Sequence, residues 1–504
     1  MERITSQKLD LRLLFGLFSA LFVVAFSFTM ASMASPYIAF DLGGAPEISI
    51  YTVVFYGIGS AISIPLGKPV AARCRTGRAL VYCLLLEALF TFGAGASPNY
   101  PVFILFRFLQ GVAGGPFYPL LNHLLLAHVP PQKRPVTTSI FVTILAIVPA
   151  IATCWGGFIA YEYTWQWIFA FNVPWVLLLA GLLWLKLENL PLAPEKTPFD
   201  GIGYFFYSIG IFCLATAATL AQQLDWYRSP LLVTMTLIGV PSLLFFILWN
   251  RLSPNPVLDF TILKRPQFCF AMFNLAILFS VYFGMITLIP QWLKLYAAYT
   301  PNWIAAIIGG MALGGLFPRY FIENKLGRID CRIPLALSII FLATSAFHTT
   351  IFDVDINFGR IAFSRVVGGF GLALFLPPLF QLAFKNVPDE KMIDNIELFQ
   401  VIRNLSAGLG AGMYDICWQR RQVFFHERLG EDLNVFSQLT KNFFATAKQN
   451  WVPGDPNAVL GELLQRRATS LALDDVFWLM AWILVATLAV LLLTFFFKKE
   501  TFMP

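Results

Sequence analysis

The feature that most limits what this chain can become is the recurrence of uncharged apolar stretches long enough to cross a bilayer. Apolar runs interrupted by charge, Gly or Pro fall at 13–38, 51–67, 79–97, 101–127, 136–160 and 167–186. After the polar stretch Glu188–Asp200 they resume at 201–221, 230–250, 268–290, 303–319, 333–352, 361–384, 396–417 and 476–497, fourteen in all. Each approaches the roughly 20 residues that a transmembrane helix needs. Apolar residues fill 58% of the 504 positions and charged ones only 12%, more apolar surface than a water-soluble core can hide. The sequence predicts an all-α polytopic membrane protein whose main surroundings are the lipid bilayer. The first run follows a basic stretch and contains the small residues Ala31–Ala34, as a signal peptide would, but its length reads as a span.

Charge gives the orientation. With the N-terminus inside, 22 of the 35 basic residues fall in cytoplasmic segments, among them Lys68, Arg73, Arg75, Arg78, Arg265, Arg332 and Lys385. Short outer loops hold three, Arg228, Lys294 and Arg360, while the long outer segment 418–474 holds seven, a length at which the positive-inside rule weakens. Both termini are therefore expected in the cytoplasm, and the net charge of +7 is a topology signal with no nucleic-acid partner implied. Seven scattered cysteines without a CxxC pair imply neither disulfides nor a metal site. Within 418–474, Val423, Phe424, Leu429, Leu433, Phe436, Leu439, Phe443 and Phe444 recur at partly helical spacing. Helices outside the membrane are expected there, either capping their own bundle or docking a partner protein.

Three basic residues remain, Arg107, Arg365 and Arg403, all inside apolar runs. A cation at mid-span costs roughly 2.5–3.5 kcal/mol on insertion scales and persists only by snorkelling, pairing or facing a wet cavity. Arg107 follows six apolar residues, about 9 Å of helix. The glycines and prolines after it suit an interior helix beside a cavity.

Arg107-Phe-Leu-Gln-Gly111, with Gly115 and Pro119, has an echo in Arg365-Val-Val-Gly-Gly369, with Gly371 and Pro377. Ala152/Gly156 and Gly408/Gly412 repeat as small-xxx-small pairs at nearly the same offset. A duplication then maps spans one to six onto nine to fourteen. The expected organisation is a six-helix bundle at 13–186, a cytoplasmic linker at 187–200, an inserted helix pair at 201–250, and a second six-helix bundle at 268–497 that includes 418–474. Duplicated halves around a midplane site are the architecture of alternating access.

These residues resemble a known family. Arg107–Gly111 is similar to the fourth-span motif of the major facilitator superfamily, and Trp165-Gln-Trp-Ile-Phe-Ala-Phe-Asn-Val-Pro174 resembles the signature of its fourteen-span drug:proton antiporters, the EmrB/QacA type. Further matches are Asn255-Pro-Val-Leu-Asp259, Val387-Pro-Asp-Glu390, Arg403, Arg420-Arg421 with His426, and Ala472-Leu-Asp-Asp-Val-Phe477. The resemblance implies a secondary transporter exporting amphipathic small molecules from a bacterial cytoplasm across the inner membrane. The proton gradient would be its energy source, with no cofactor. In a Gram-negative cell it also implies a periplasmic adaptor protein and an outer-membrane channel as partners. Alternatives are a dedicated exporter of one metabolite such as a siderophore, or a facilitator or non-transporting sensor that has lost proton coupling.

That last alternative arises because two family acids are missing. Ser27 stands where the first span usually has an aspartate, and Ala72 where the loop after the second span has one; Ala152-Thr153 replaces the usual Gly-Pro, with Gly156 and Gly157 kept. The resemblance links Arg107 to proton coupling through a carboxyl, and the candidates for that carboxyl are Glu87 in span three and Asp415 in span thirteen. Gln110, Arg365 and Arg403 complete the expected charge relay, with an anionic substrate as an alternative role for Arg365 or Arg403. Glu397 reads as a solvated acid at a helix start. Gly67, Arg73, Gly77 and Arg78 resemble the family's cytoplasmic latch. Gly111, Gly115, Pro119, Gly156, Gly157, Gly369, Gly408 and Gly412 are expected at helix packing and rocking contacts. Met30, Met33, Phe117 and Tyr118 are expected to line an adaptable cavity. His348 and Asp353 match the HxxxxD spacing of membrane acyltransferases, a lone match at a helix end, and no GxxxxGK[ST] phosphate loop is present. No enzymatic activity is expected.

Overall fold

The computed structural model describes residues 11–45, 48–130, 133–187, 198–297, 299–322, 329–353, 355–385, 387, 392–431, 433, 437–449 and 455–494. Most of the linker 187–200, and Pro388–Glu390 of the sequence motif at 387–390, lie outside them. The described residues form helices and no strand. Every apolar run coincides with a helix or with a broken pair of helices, and among the described residues eleven helices are long and apolar enough to cross a membrane.

In the first half these are α1 (Leu11–Thr29), α2 (Ser35–Asp41), α3 (Tyr51–Ser63), α4 (Gly67–Cys74), α5 (Thr76–Gly95), α6 (Tyr100–Gly114), α7 (Phe117–His128), α8 (Arg134–Glu162) and α9 (Gln166–Leu187). The peripheral pair is α10 (Gly201–Leu220) and α11 (Pro230–Leu252). The second half comprises α12 (Pro266–Leu295), α13 (Pro301–Ile322), α14 (Arg332–Thr349), α15 (Phe358–Phe384), α16 (Met392–Glu431), α17 (Gln438–Gln449) and α18 (Pro456–Leu493).

Three single spans expected from hydropathy are broken here. The run 13–38 divides into α1 and α2 at the turn before Pro36, and 51–67 continues through a short 3-10 turn at Ile64–Leu66, which contains Pro65, into α4. The run 101–127 divides into α6 and α7 at Gly115-Pro116. Each break has a proline that lacks the backbone N–H a continuous ladder needs. The last two spans are longer than expected. At 1.5 Å per residue, the 40 residues of α16 reach about 60 Å, twice a hydrocarbon core of roughly 30 Å. Much of 418–474 is therefore the extended ends of α16 and α18, with α17 between them.

The two halves repeat in their packing. Helix α3 packs on α6, α5 on α6 and α9, and α1 on α8 and α9; correspondingly α13 packs on α15, α14 on α15 and α18, and α12 on α16 and α18. The repeat reaches atomic detail. A Cβ at Gly59 would strike the Phe108 carbonyl and one at Gly111 the Tyr56 carbonyl; one at Gly314 would strike the Val366 carbonyl and one at Gly369 the Met311 carbonyl. Close backbone approach at each arginine-bearing helix thus explains the duplicated glycines. The halves meet along two seams, α3 with α16 and α8 with α13. Helices α10 and α11 pack on each other, and α10 rests on α3 and α16. The α11 apolar window is only 22% buried, against 78% for α12 at the centre.

Candidate functional site

Arg107 is fully buried, and its guanidinium is held by backbone. Its Nε donates to the Thr52 carbonyl at 3.0 Å, Nη1 to the Ser27 carbonyl at 3.0 Å and Nη2 to the Phe28 carbonyl at 2.8 Å. The break after α1 makes this possible, because carbonyls in the last turn of a helix lack intrahelical partners. The Tyr56 ring lies beneath the guanidinium, 4.8 Å away. Arg107 also donates from Nη1 to Gln110 Oε1 at 2.5 Å.

Gln110 carries the connection onward. Its Nε2 donates to Glu87 Oε1 at 3.0 Å and to Thr91 Oγ1 at 2.8 Å, and Thr91 donates to the Glu87 carbonyl at 2.6 Å. Glu87 is fully buried, and its second oxygen, Oε2, accepts no hydrogen bond. Beside it the Tyr56 hydroxyl is equally unpartnered: a Cβ on Gly114 would lie 2.7 Å from that hydroxyl and 3.6 Å from Glu87 Oε2. Gly114 thus lets the Tyr56 hydroxyl pack directly against α6, beside Glu87 Oε2. Ser27, in place of the family's first-span acid, gives its carbonyl to Arg107, while its hydroxyl accepts from Asn172 Nδ2 at 2.6 Å.

Arg403 lies on α16 at the seam between the halves, with 3% of its surface exposed. It stacks on Tyr118 of α7 at 4.8 Å and on Phe279 of α12 at 5.7 Å, and donates to the Asn404 side chain at 2.9 Å. Asn404 in turn donates to Ser60 Oγ across the seam at 2.7 Å. Rings connect the two arginines: Tyr56 packs on Phe28 at 4.9 Å, Phe28 on Phe283 at 5.2 Å, and Phe283 on Phe279 at 5.3 Å.

The other residues singled out in the sequence are spread more widely. Arg365 is fully buried in the second half, where Nη2 donates to Ser364 Oγ at 3.0 Å and to Thr349 Oγ1, and the guanidinium faces Phe477. Its repeat relation to Arg107 holds for packing, but no carboxyl bonds to it among the described residues. Asp415 is buried farther along α16, where it accepts from Gln419 at 2.8 Å and shares a small cleft with Tyr51 and Gln223. It is twelve residues beyond Arg403, about 18 Å along the helix.

Gly67 faces Pro119 and Glu397. Glu397, expected in solvent, is instead 2% exposed, and its Oε1 accepts the Lys68 amide at 3.3 Å. An acid from the second half therefore takes a backbone N–H at the start of α4, beside a cleft of about 370 Å³ lined also by Asn255 and Asp259. Arg73 is exposed; Gly77 abuts Leu187, and Arg78 lies over Trp184. A Cβ at Gly115 would strike Ser63. At Gly156 it would strike the Met30 carbonyl, and at Gly157 the Met33 sulfur. Met30 and Met33 thus pack the turn between α1 and α2 onto α8 within one half, Phe117 is buried beside Tyr118, and Tyr118 reaches Arg403 of the other half through its ring.

Gly408 and Gly412 differ from Gly156. They face Val54 and Gly57 of the other half, and a Cβ there would meet atoms no closer than 3.6 Å. The packing counterpart of Gly156 is Gly410, jammed on Ser280 of α12, which the sequence offset missed by two residues. Of the remaining motifs, Trp165 donates to Asp41 at 2.7 Å, Arg421 pairs with Asp475 between α16 and α18, and Asp353 is bound to Arg467 at 2.6 Å, away from His348.

A fold of two repeated helical halves with buried charge between them defines a membrane transporter. The model of the Major Facilitator Superfamily matches residues 17–411, and the chain belongs to that superfamily. Over nearly its whole length it is similar to exporters of the EmrB type. It is 26% identical to the "Multidrug export protein EmrB" of Haemophilus influenzae, over 92% of this chain and 91% of that one. It is 25% identical to the "Fatty acid resistance protein FarB" of Neisseria gonorrhoeae, over 91% and 90%. Among solved structures, the fold is shared with a peptide transporter, POT, in complex with sulfate (TM-score 0.60, 14% identity, 95% of each chain). It is likewise shared with a bacterial homolog of the human lysosomal transporter Spinster (TM-score 0.58, 14% identity, 99% and 98%).

Proposed function

We propose that this protein is a proton-coupled exporter of amphipathic small molecules, with Glu87 as its proton carrier. It crosses a bacterial inner membrane fourteen times with both termini in the cytoplasm. The observation that carries the reading is the chain Arg107–Gln110–Glu87, built around the position from which the family's first-span acid is missing. A single buried carboxyl joined by one side chain to a fixed cation is suited to take up and give back a proton. The export direction rests on the similarity to EmrB and to FarB along the full chain. The ends of α16 and α18 that outrun the bilayer are the natural docking point for a periplasmic adaptor, with an outer-membrane channel beyond it.

The step assigned to this chain is an exchange at Glu87. In one orientation the ionised carboxyl accepts a proton on Oε2, the oxygen near Gly114 and the Tyr56 hydroxyl; in the other it releases it, and substrate moves in the opposite direction. Arg107 stays charged throughout, since the carbonyls of Ser27, Phe28 and Thr52 hold it independently of Glu87.

The test uses sealed proteoliposomes containing a pH dye, an imposed pH gradient and a panel of lipophilic cations, weak acids and neutral amphiphiles. Wild type should show compound-dependent proton flux, and Glu87→Gln should reduce it at least about tenfold, a loss of roughly 1.4 kcal/mol of transition-state stabilisation. Compound movement with no proton flux in the wild type would refute the coupling.

A further inference from the structure

Buried polar atoms without partners are costly and call for an explanation, and one group of them lies on α16 away from the proton relay. Arg403 Nε has no acceptor, and both side-chain atoms of Gln400 are unpartnered although Gln400 is fully buried. Residues three apart lie on the same face of a helix, so these groups form one strip. Two of the three are N–H donors. The strip faces the seam where Tyr118 and Phe279, from opposite halves, cover the guanidinium. No carboxylate pairs with Arg403 among the described residues: its partners are the Asn404 amide oxygen, the hydroxyl and ring of Tyr118, and the Phe279 ring, all neutral. A desolvated cation retained at the meeting point of the halves, with N–H groups unanswered, is a receptor for an anion.

We propose that Arg403 and Gln400 bind the carboxylate head of the transported molecule, and that the rings of Tyr118, Phe279, Phe283 and Phe28 hold its apolar body. A carboxylate would accept from Arg403 Nε and Gln400 Nε2, while the Tyr118 ring, a weak neutral substitute for a counter-charge, moves aside. The preferred substrates are then amphipathic anions. This rests on the export reading above and narrows its substrate class.

The experiment measures equilibrium binding of naphthylacetate, naphthylacetamide and naphthylethylamine to the full chain in nanodiscs. Wild type should bind the carboxylate about tenfold more tightly than the amide and discriminate further against the amine. Arg403→Gln should abolish that preference, so that carboxylate and amide bind alike, and Arg403→Lys should keep part of it. Gln400→Leu should weaken carboxylate binding alone. Equal binding of the three heads, no binding of any, or a preference that survives Arg403→Gln would overturn the proposal. The proton-flux assay with Glu87→Gln reads the export function without Arg403, so failure of one is separable from failure of the other.

Discussion

On the proposed mechanism Arg107 has two duties, one structural and one in coupling, and its substitution confounds them. Three backbone carbonyls depend on it, and hydrogen bonds from a charged donor are worth about 1.5–3 kcal/mol each. Arg107→Ala should therefore impair accumulation and lower the melting temperature as well as stopping transport. Gln110→Leu is the cleaner probe, because it leaves those bonds intact and cuts the bridge to Glu87. It removes three buried side-chain hydrogen bonds, those with Arg107, Glu87 and Thr91, so its stability should fall by a few kcal/mol at about 1 kcal/mol for each bond, less than in Arg107→Ala, while compound-dependent proton flux falls much further. Near-normal flux in a well-folded Gln110→Leu would remove the relay from the mechanism. The charged members of this site were legible in the sequence because charge inside an apolar run is rare enough to notice. Tyr56, Gln400 and the ring path through Phe28 and Phe283 were not. In a chain with 51 phenylalanines and 16 tyrosines, nothing local marks the few that face the seam.

At the scale of helices, the glycines separate into two kinds that the sequence could not distinguish. Gly111 and Gly369 bring backbones together within one half, so alanine at either would collide with a carbonyl and force the helices apart. Gly111→Ala should lower the yield of folded protein and its thermal stability by an amount typical of overpacking, about 1–3 kcal/mol. Gly412→Ala faces the other half with its nearest contact at 3.8 Å and should fold like wild type, as a melting curve in detergent would show. Hydropathy found each apolar helical region, because desolvation acts over some twenty residues at once; α17, which is polar on average, lies in none of the fourteen runs. It missed the breaks at Pro36, Pro65 and Pro116, since a helix interrupted at one proline keeps the same average apolarity. The lengths of α16 and α18 escaped it for the opposite reason: their polar ends look like loop until the ion pair between Arg421 and Asp475 is seen to hold them together.

For the whole molecule, alternating access requires the interface between the two halves to open at one membrane face and then at the other as they rock. The seam between α8 and α13 can be locked with one substitution. A Cβ at position 309 would lie 3.7 Å from the Sγ of Cys154, so Gly309→Cys should form a disulfide with it under oxidation. Transport should stop on oxidation and return on reduction; transport that continues with the cross-link complete would mean that this seam does not open. The repeat that predicted two halves is visible in their packing, yet their polar chemistry has diverged: Arg107 reaches a carboxyl through Gln110, and Arg365, among the described residues, meets hydroxyls, a backbone carbonyl and a ring.

The central claim is that Glu87 does from the third span what the family's missing acid does from the first. The most direct test moves the carboxyl back. In proteoliposomes, Glu87→Gln should lose compound-dependent proton flux, and adding Ser27→Asp to that variant should restore it, because residue 27 already lies against Arg107. Wild-type flux in Glu87→Gln alone would contradict the account.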